Sequence, residues 1–241
     1  MIDRAADNKA SLIMLPEMFA YPYEIDKLKD IVEEKSETLN ILREKARQKR
    51  IFLCTGSIAV KTGENIFNTS YLINPDGKII LKYSKCHLFD VELPHLTVKE
   101  SDIFSKGNNI GSVSTELGNI GIIICYDIRF PEITRKLALE GIDILLVPAA
   151  FNTVTGPAHW HITLRTRAVE NQIFIAAASP ARNRNSAYKA YGYSMFIDPW
   201  GRILKQAGKR QSIIYSIINP EIQKEIRDRL PLLKHRRKDL Y

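Results

Sequence analysis

Cysteine is scarce in this chain. Cys54, Cys86 and Cys125 are the only three in 241 residues, with no CxxC pair and no His-rich spacing around them. That excludes a disulfide framework and a structural zinc site, and free thiols point to a reducing, cytoplasmic setting. Long apolar runs are also missing. None approaches the ~18–20 residues of a membrane span, and the N-terminus shows no secretory pattern. No linker and no short-period repeat divides the chain, so residues 1–241 read as one domain. Positive charge is plentiful, at a net +8. Yet Lys and Arg are dispersed over helix faces, and the one dense run, Lys234–Lys238, has no interleaved aromatics. This argues against nucleic acid as a partner and suits a surface that steers small anionic substrates.

With 45% hydrophobic residues the chain can bury a large core. Met1–Lys9 reads as the second half of an amphipathic helix, followed by a short buried strand, Leu12–Leu15. Residues 26–49 carry helical periodicity, with Leu28, Ile31, Val32, Leu39, Leu42 and Ala46 on one side. Strands are predicted over 51–60, 65–73 and 78–83, the last two joined by the turn Pro75-Asp76-Gly77. Residues 86–110 lack strong periodicity and read as a long loop, functional or mobile. Strand 118–125 precedes helix 131–140. Strand 142–148, helix 160–171, strand 173–178, a hairpin over 191–206, strand 212–218 and helix 220–229 follow. Strands and helices alternate with hairpins mixed in, which predicts an α/β fold with mixed sheets covered by helices.

Three chemically able residues stand at three strand ends: Glu17 after LIMLP, Lys85 after the hairpin, and Cys125 after IGIII. Strand ends are where α/β folds place their chemistry. Cys125 closes a strand, and Pro131 and Glu132 open a helix just beyond it, so backbone N–H groups near the corner favour a thiolate and hold an oxyanion. Singly, each also reads plainly: Cys125 as core packing, Glu17 as a solvated loop acid, Lys85 as a strand-edge charge. Taken together within LPEMF, YSKCHLFD and CYDIRFPE, they read as one constellation.

In these three contexts, and over nearly its whole length, the chain resembles the nitrilase superfamily of carbon–nitrogen hydrolases. The segments AFNTVTGPAHW, RTRAVENQIFIAAASPAR, YGYSMFIDPWG and LPLLKHRRKDLY are similar to its ω-amidase branch. The resemblance implies a four-layer αββα sandwich and a Glu-Lys-Cys triad formed by Glu17, Lys85 and Cys125. It matches Glu100 to a second glutamate that positions the substrate or the lysine, with a solvated loop acid as the plain reading. It further implies a homodimer paired through the helices after the nucleophile strand and near 160–171. Family members begin with a strand and a full first helix. Here roughly 20–30 such residues are absent by typical element lengths, so the N-terminal strand is expected to be missing.

The chemistry follows from the groups. An amide is a poor electrophile, and passing through a thioester divides the barrier. Cys125 is the expected nucleophile and Glu17 the base and acid in turn, its pKa raised by burial. Lys85 and the Tyr126 backbone N–H are expected to hold the oxyanion, and the nearby ammonium is expected to favour the thiolate. No cofactor is expected. His159 and His161 have no acidic or thiol partner at ligand spacing, which favours helix packing or capping over a metal. Cys54 and Cys86 read as structural.

The ω-amidase resemblance implies small amides with a far carboxylate, such as α-ketoglutaramate or succinamate. Arg129 is the candidate cation for that carboxylate, Thr155 a hydroxyl donor and Phe151 an apolar wall. Arg182 is a second cation, with a surface role. Amidases of deaminated glutathione use similar residue types, so that substrate is the alternative. A scaffold protein idled by the shortened front is a reading of another class, as is a papain-like protease, which would leave Glu17 and Lys85 unexplained.

Overall fold

The computed structural model describes residues 1–21, 23, 37–93 and 96–240. In the first sheet, β1 (Leu12–Met14) runs parallel to β2 (Phe52–Cys54), pairing Leu12 with Phe52 and Met14 with Cys54. Strands β2 and β3 (Ile58–Thr62) lie end to end along one edge of the long β4 (Asn65–Ile73), and β5 (Ile79–Ser84) lies along the other. The single strand expected over 51–60 is thus two. Its break, Thr55-Gly56-Ser57, exists because Gly56 sits at φ +67° against the Leu15 and Pro16 carbonyl oxygens, where a Cβ would collide. That break holds the loop carrying Glu17.

The stretch read as an unstructured loop contains a hairpin, β6 (Asp90–Leu93) with β7 (Leu96–Lys99), and a 3₁₀ turn over Glu100–Asp102. Its cross-strand pairs alternate too briefly for periodicity to reveal. The second sheet comprises β8 (Ser112–Thr115), β9 (Gly118–Ile122), β10 (Ile144–Pro148), β11 (Phe174–Ala178), β12 (Met195–Ile197) and β13 (Ile203–Gln206), in the spatial order β13-β12-β11-β10-β9-β8. Pairs β9/β10 and β10/β11 are parallel and the outer pairs antiparallel, so the sheet is mixed as expected.

Side-chain alternation explains the layering. Leu53 and Ile73 pack with Ala5 of helix α1 (Ile2–Asp7) and with Leu42 and Ala46 of α2 (Glu37–Lys49). Their neighbours Cys54 and Leu72 point the other way, into a cluster with Ile120, Ile122, Leu145 and Leu146 of the second sheet. Each fully buried Leu or Ile there contributes roughly 1.5–3 kcal/mol. Beyond the second sheet lie α3 (Pro131–Leu139) and α4 (Gly156–Asn171), whose Leu137, Trp160 and Leu164 are buried. The result is the expected αββα order.

Several boundaries differ. Strand β9, expected over 118–125, ends at Ile122, so Cys125 lies three residues beyond it instead of closing it. Helix α4 begins at Gly156, earlier than expected, because the Asn152 side chain takes up the Val154 and Thr155 N–H groups and Pro157 fits the first turn. Segment 212–218 is not a strand: among the described residues it has no ladder partner, although Ile213 and Ile218 pack against the core. Of the helix expected over 26–49, α2 accounts for 37–49, and 26–36 lie outside the described residues. Helix α5 (Pro220–Arg229) is where periodicity placed it, and Asn219 caps it through the Glu221 N–H.

Candidate active site

Glu17, Lys85 and Glu100 arrive from three elements and meet in a site closed to solvent. Leu15 N–H extends the β1 pairing by donating to Cys54, and Pro16 then turns the chain away. The turn is clamped from the break in the strand: Ser57 N–H donates to the Pro16 carbonyl at 3.3 Å, and Met18 N–H donates to Ser57 Oγ at 3.1 Å. Lys85 continues the β5 ladder through its N–H to the Asn68 carbonyl. Its Nζ donates to Glu17 Oε1 at 2.9 Å and to Glu100 Oε1 at 2.8 Å, and all three side chains are fully buried. Asn68 Nδ2 adds a donor to Glu17 Oε1 at 2.9 Å. The Tyr23 hydroxyl and the Phe89 N–H, the latter at 2.6 Å, hold the two oxygens of Glu100. Glu17 Oε2 has no hydrogen bond among the described residues.

Cys125 follows β9 at φ +46°, a left-handed conformation unusual for a residue with a side chain, and starts a 3₁₀ turn over Cys125–Arg129. A buried carboxylate fastens that turn. Asp127 accepts from Ile124 N–H at 3.0 Å, the Tyr83 hydroxyl at 2.6 Å, His87 N–H at 2.9 Å and His87 Nδ1 at 2.8 Å. Ala150 N–H points at Cys125 Sγ from 3.5 Å.

The Lys85 ammonium favours the Cys125 thiolate, as expected, but other groups outweigh it. Burial and the Glu17 carboxyl push the Cys125 thiol well above its ordinary pKa, and Lys85 and the Ala150 N–H offset this only in part. The net direction at Cys125 is upward, toward the protonated thiol. Burial also raises Glu17, with Glu100 adding to the shift and Lys85 opposing it. For Lys85, burial disfavours the ammonium, but the Glu100 and Glu17 carboxylates outweigh it and the net direction is upward. Cys54, buried in the core, is lifted to about 11 by desolvation, as suits an inert thiol.

Outside the thiol opens a narrow pocket. Arg129, Phe151, Asn152 and Thr155 line it on one flank, Tyr23 and Tyr188 on another. The Arg129 guanidinium lies 4.7 Å from the Phe151 ring centre and 5.7 Å from that of Tyr126. Its Nη1 donates to His159 Nδ1 at 2.8 Å, so any ring proton of His159 sits on Nε2. Arg167 fixes the Arg129 backbone through bonds to the Ile128 and Arg129 carbonyls. Tyr126 presents its ring to the pocket and packs edge-on to Phe89 and Phe130.

Glu17, Lys85, Glu100, Cys125, Tyr126, Arg129, Phe151 and Thr155, eight of the nine residues offered from the sequence for catalysis or substrate binding, lie together here. Arg182 does not line the pocket; it braces the Ala190 and Tyr191 carbonyls. The Thr155 hydroxyl donates to Asn152 Oδ1 at 3.2 Å instead of facing the pocket as a free donor. His159 is neither cap nor packing but the partner of Arg129, and His161 bonds Gln206. Sequence reasoning missed Tyr23, Asn68, Asp127, Asn152 and Tyr188. Asp127 and Asn152 lay inside segments already singled out, CYDIRFPE and AFNTVTGPAHW. The other three carry no local signal, because only the fold brings them to the site.

The family model described as "Carbon-nitrogen hydrolase" matches residues 1–227. Omega-amidase NIT2 of Mus musculus is 40% identical over 243 residues, covering 100% of this chain and 88% of that protein. Omega-amidase NIT3 of Saccharomyces cerevisiae is 41% identical over 251 residues, covering 100% of this chain and 86% of its own length. The crystal structure of Saccharomyces cerevisiae Nit3, described as a member of branch 10 of the nitrilase superfamily, superposes with a TM-score of 0.89 at 39% identity, over 98% of this chain and 87% of that one. With the fold and the buried Glu-Lys-Cys cluster in place, the chain belongs to the carbon–nitrogen hydrolase family of the nitrilase superfamily, and it is a hydrolase acting on amides.

Proposed function

We propose that this enzyme hydrolyses the amide C–N bond of a small amide bearing a far carboxylate, of the succinamate or α-ketoglutaramate class, through a thioester on Cys125. The observation that carries the reading is the division of labour on Glu17. Its Oε1 is held by Lys85 and Asn68, Oε2 takes no hydrogen bond from another described side chain or backbone group, and the carboxyl is close enough to Cys125 that each shifts the other's ionisation. A protonated thiol needs a base at hand, and a carboxyl with a raised pKa takes that proton more readily than an ordinary carboxylate and holds it until the leaving nitrogen needs it.

In the first step Glu17 takes the thiol proton as Cys125 Sγ bonds to the carbonyl carbon. The oxyanion is met by the Lys85 ammonium and the Tyr126 backbone N–H. Glu17 then delivers the proton to the amide nitrogen, the C–N bond breaks and ammonia leaves. Water attacks the thioester as Glu17 removes its proton, and the C–S bond breaks to regenerate the thiol and release the acid. Glu100 keeps Lys85 charged and aimed. Arg129 forks onto the far carboxylate, and its position over Phe151, without a carboxylate partner among the described residues, supports that role. Ammonia release from succinamate, compared between wild type and Cys125→Ala, tests the assignment. Equal turnover would sink it.

We further infer a single domain over residues 1–241 that works as a cytoplasmic homodimer, without nucleic acid or membrane partners. Exposed Leu139, Ile162, Val169 and Trp200, on or beside α3 and α4, support pairing through that face, and three free cysteines suit a reducing compartment. Light scattering that finds only monomer overturns the dimer.

A further inference from the structure

Within the loop after β10, one polar donor has no partner. Asn152 is buried, and its Oδ1 accepts from Val154 N–H at 3.0 Å, Thr155 N–H at 2.8 Å and the Thr155 hydroxyl at 3.2 Å. All three partners are donors, so they fix which end of the carboxamide is oxygen. The nitrogen end, Nδ2, is buried and makes no hydrogen bond among the described residues, and Asn152 lines the pocket that holds Cys125. A buried amide nitrogen without an acceptor is costly, and its survival calls for an acceptor that arrives from outside the chain.

Its neighbours say what that acceptor is. Residue 150 offers its N–H to Cys125, residue 151 carries the ring beneath the Arg129 guanidinium, and residue 155 spends its hydroxyl proton on Asn152 itself. The open donors on this flank are therefore the Arg129 guanidinium and Asn152 Nδ2. We propose that Asn152 is a specificity-determining residue whose Nδ2 donates, beside Arg129, to the far carboxylate of the substrate. This deepens the functional reading above and rests on it. Thr155 acts one step removed, by locking the rotamer of Asn152.

Asn152→Asp tests this, because it keeps the oxygen that the three loop donors need and replaces the NH₂ donor with an oxygen that repels a carboxylate. The readout is the ratio of KM for succinamate to KM for butyramide, an amide of the same length without the charge. The ratio is expected to rise about tenfold or more, and KM for 4-aminobutanamide, with an ammonium at the far end, is expected to fall. A purely structural Asn152 changes both KM values alike, and an unmoved ratio overturns the proposal while leaving the amidase reading intact. Wild-type enzyme that does not prefer succinamate over butyramide overturns both. Should the Asp variant fail to fold, Asn152→Ser, which also keeps a loop acceptor but is too short to reach the carboxylate, is read by the same ratio.

Discussion

The Tyr83 hydroxyl donates to Asp127 Oδ2 at 2.6 Å, and this one bond ties the strand that delivers Lys85 to the turn that delivers Cys125. Asp127 meets only donors: Ile124 N–H, Tyr83 and His87 twice. Asp127→Asn turns an NH₂ toward part of that set and leaves at least one buried donor unpaired, at a cost of about 1–3 kcal/mol. The expected result is a lower melting temperature together with a fall in kcat of about tenfold or more. Tyr83→Phe, which leaves Asp127 its other donors, is expected to do less on both measures. Full kcat in Asp127→Asn would show that the two elements need no such tie.

Gly56 predicts a second loss at a distance from the chemistry. Its φ of +67° and the carbonyl oxygens of Leu15 and Pro16 leave no room for a Cβ. Gly56→Ala must either strain the break, at about 1–3 kcal/mol, or push away the loop that carries Glu17. Thermal melts and succinamate turnover are both expected to fall. An alanine variant with unchanged turnover would mean that Glu17 does not depend on this packing.

How much of this was legible beforehand depends on the range of each signal. Glu17, Lys85 and Cys125 were readable because each comes just after an apolar strand, a pattern written over a few neighbouring residues. The αββα order was readable because Leu53 and Cys54, like Ile73 and Leu72, alternate between helix-facing and sheet-facing packing. The break at Gly56 was not, because the carbonyls that impose it lie some forty residues earlier, just past the end of β1. Nor was the net upward shift of the Cys125 thiol, which comes from burial and from a carboxyl in the loop after β1. Segment 212–218 shows the converse failure: its apolar alternation is real, but alternation cannot supply a partner strand.

The thiol makes a prediction about pH. Burial and Glu17 raise its pKa, so the thiolate fraction is small near neutrality and grows only above the ordinary thiol range. Iodoacetamide labelling of Cys125, followed by peptide mass, is expected to climb with pH without an early plateau. Glu17→Gln removes the carboxyl's upward push, so the labelling midpoint is expected to move down while amide turnover is lost. Amide hydrolysis in the wild type is expected to rise with pH through an ionisation above the ordinary carboxylate range, since the raised Glu17 must be ionised to accept a proton. A low-pH labelling plateau in the wild type contradicts this electrostatic picture.

Arg129 and His159 separate binding from chemistry. His159 Nδ1 accepts from the guanidinium at 2.8 Å and holds it over Phe151. His159→Ala is expected to raise KM for succinamate severalfold, with kcat nearly unchanged. Arg129→Lys, which loses the planar fork, is expected to raise it more, by an amount equivalent to about 1.5–3 kcal/mol. Steady-state kinetics on succinamate and butyramide separate the effects, and equal losses on both substrates would argue against a carboxylate at this end of the pocket.

The account turns on Cys125 as a nucleophile that Glu17 serves twice, and intact-protein mass spectrometry of enzyme mixed with succinamate reads that directly. A mass gain equal to substrate minus ammonia, localised to the Cys125 peptide, is predicted, rising and decaying with turnover in the wild type and absent in Cys125→Ala. Ammonia release with no adduct at any time in the wild type, or with turnover surviving in Cys125→Ala, contradicts the account.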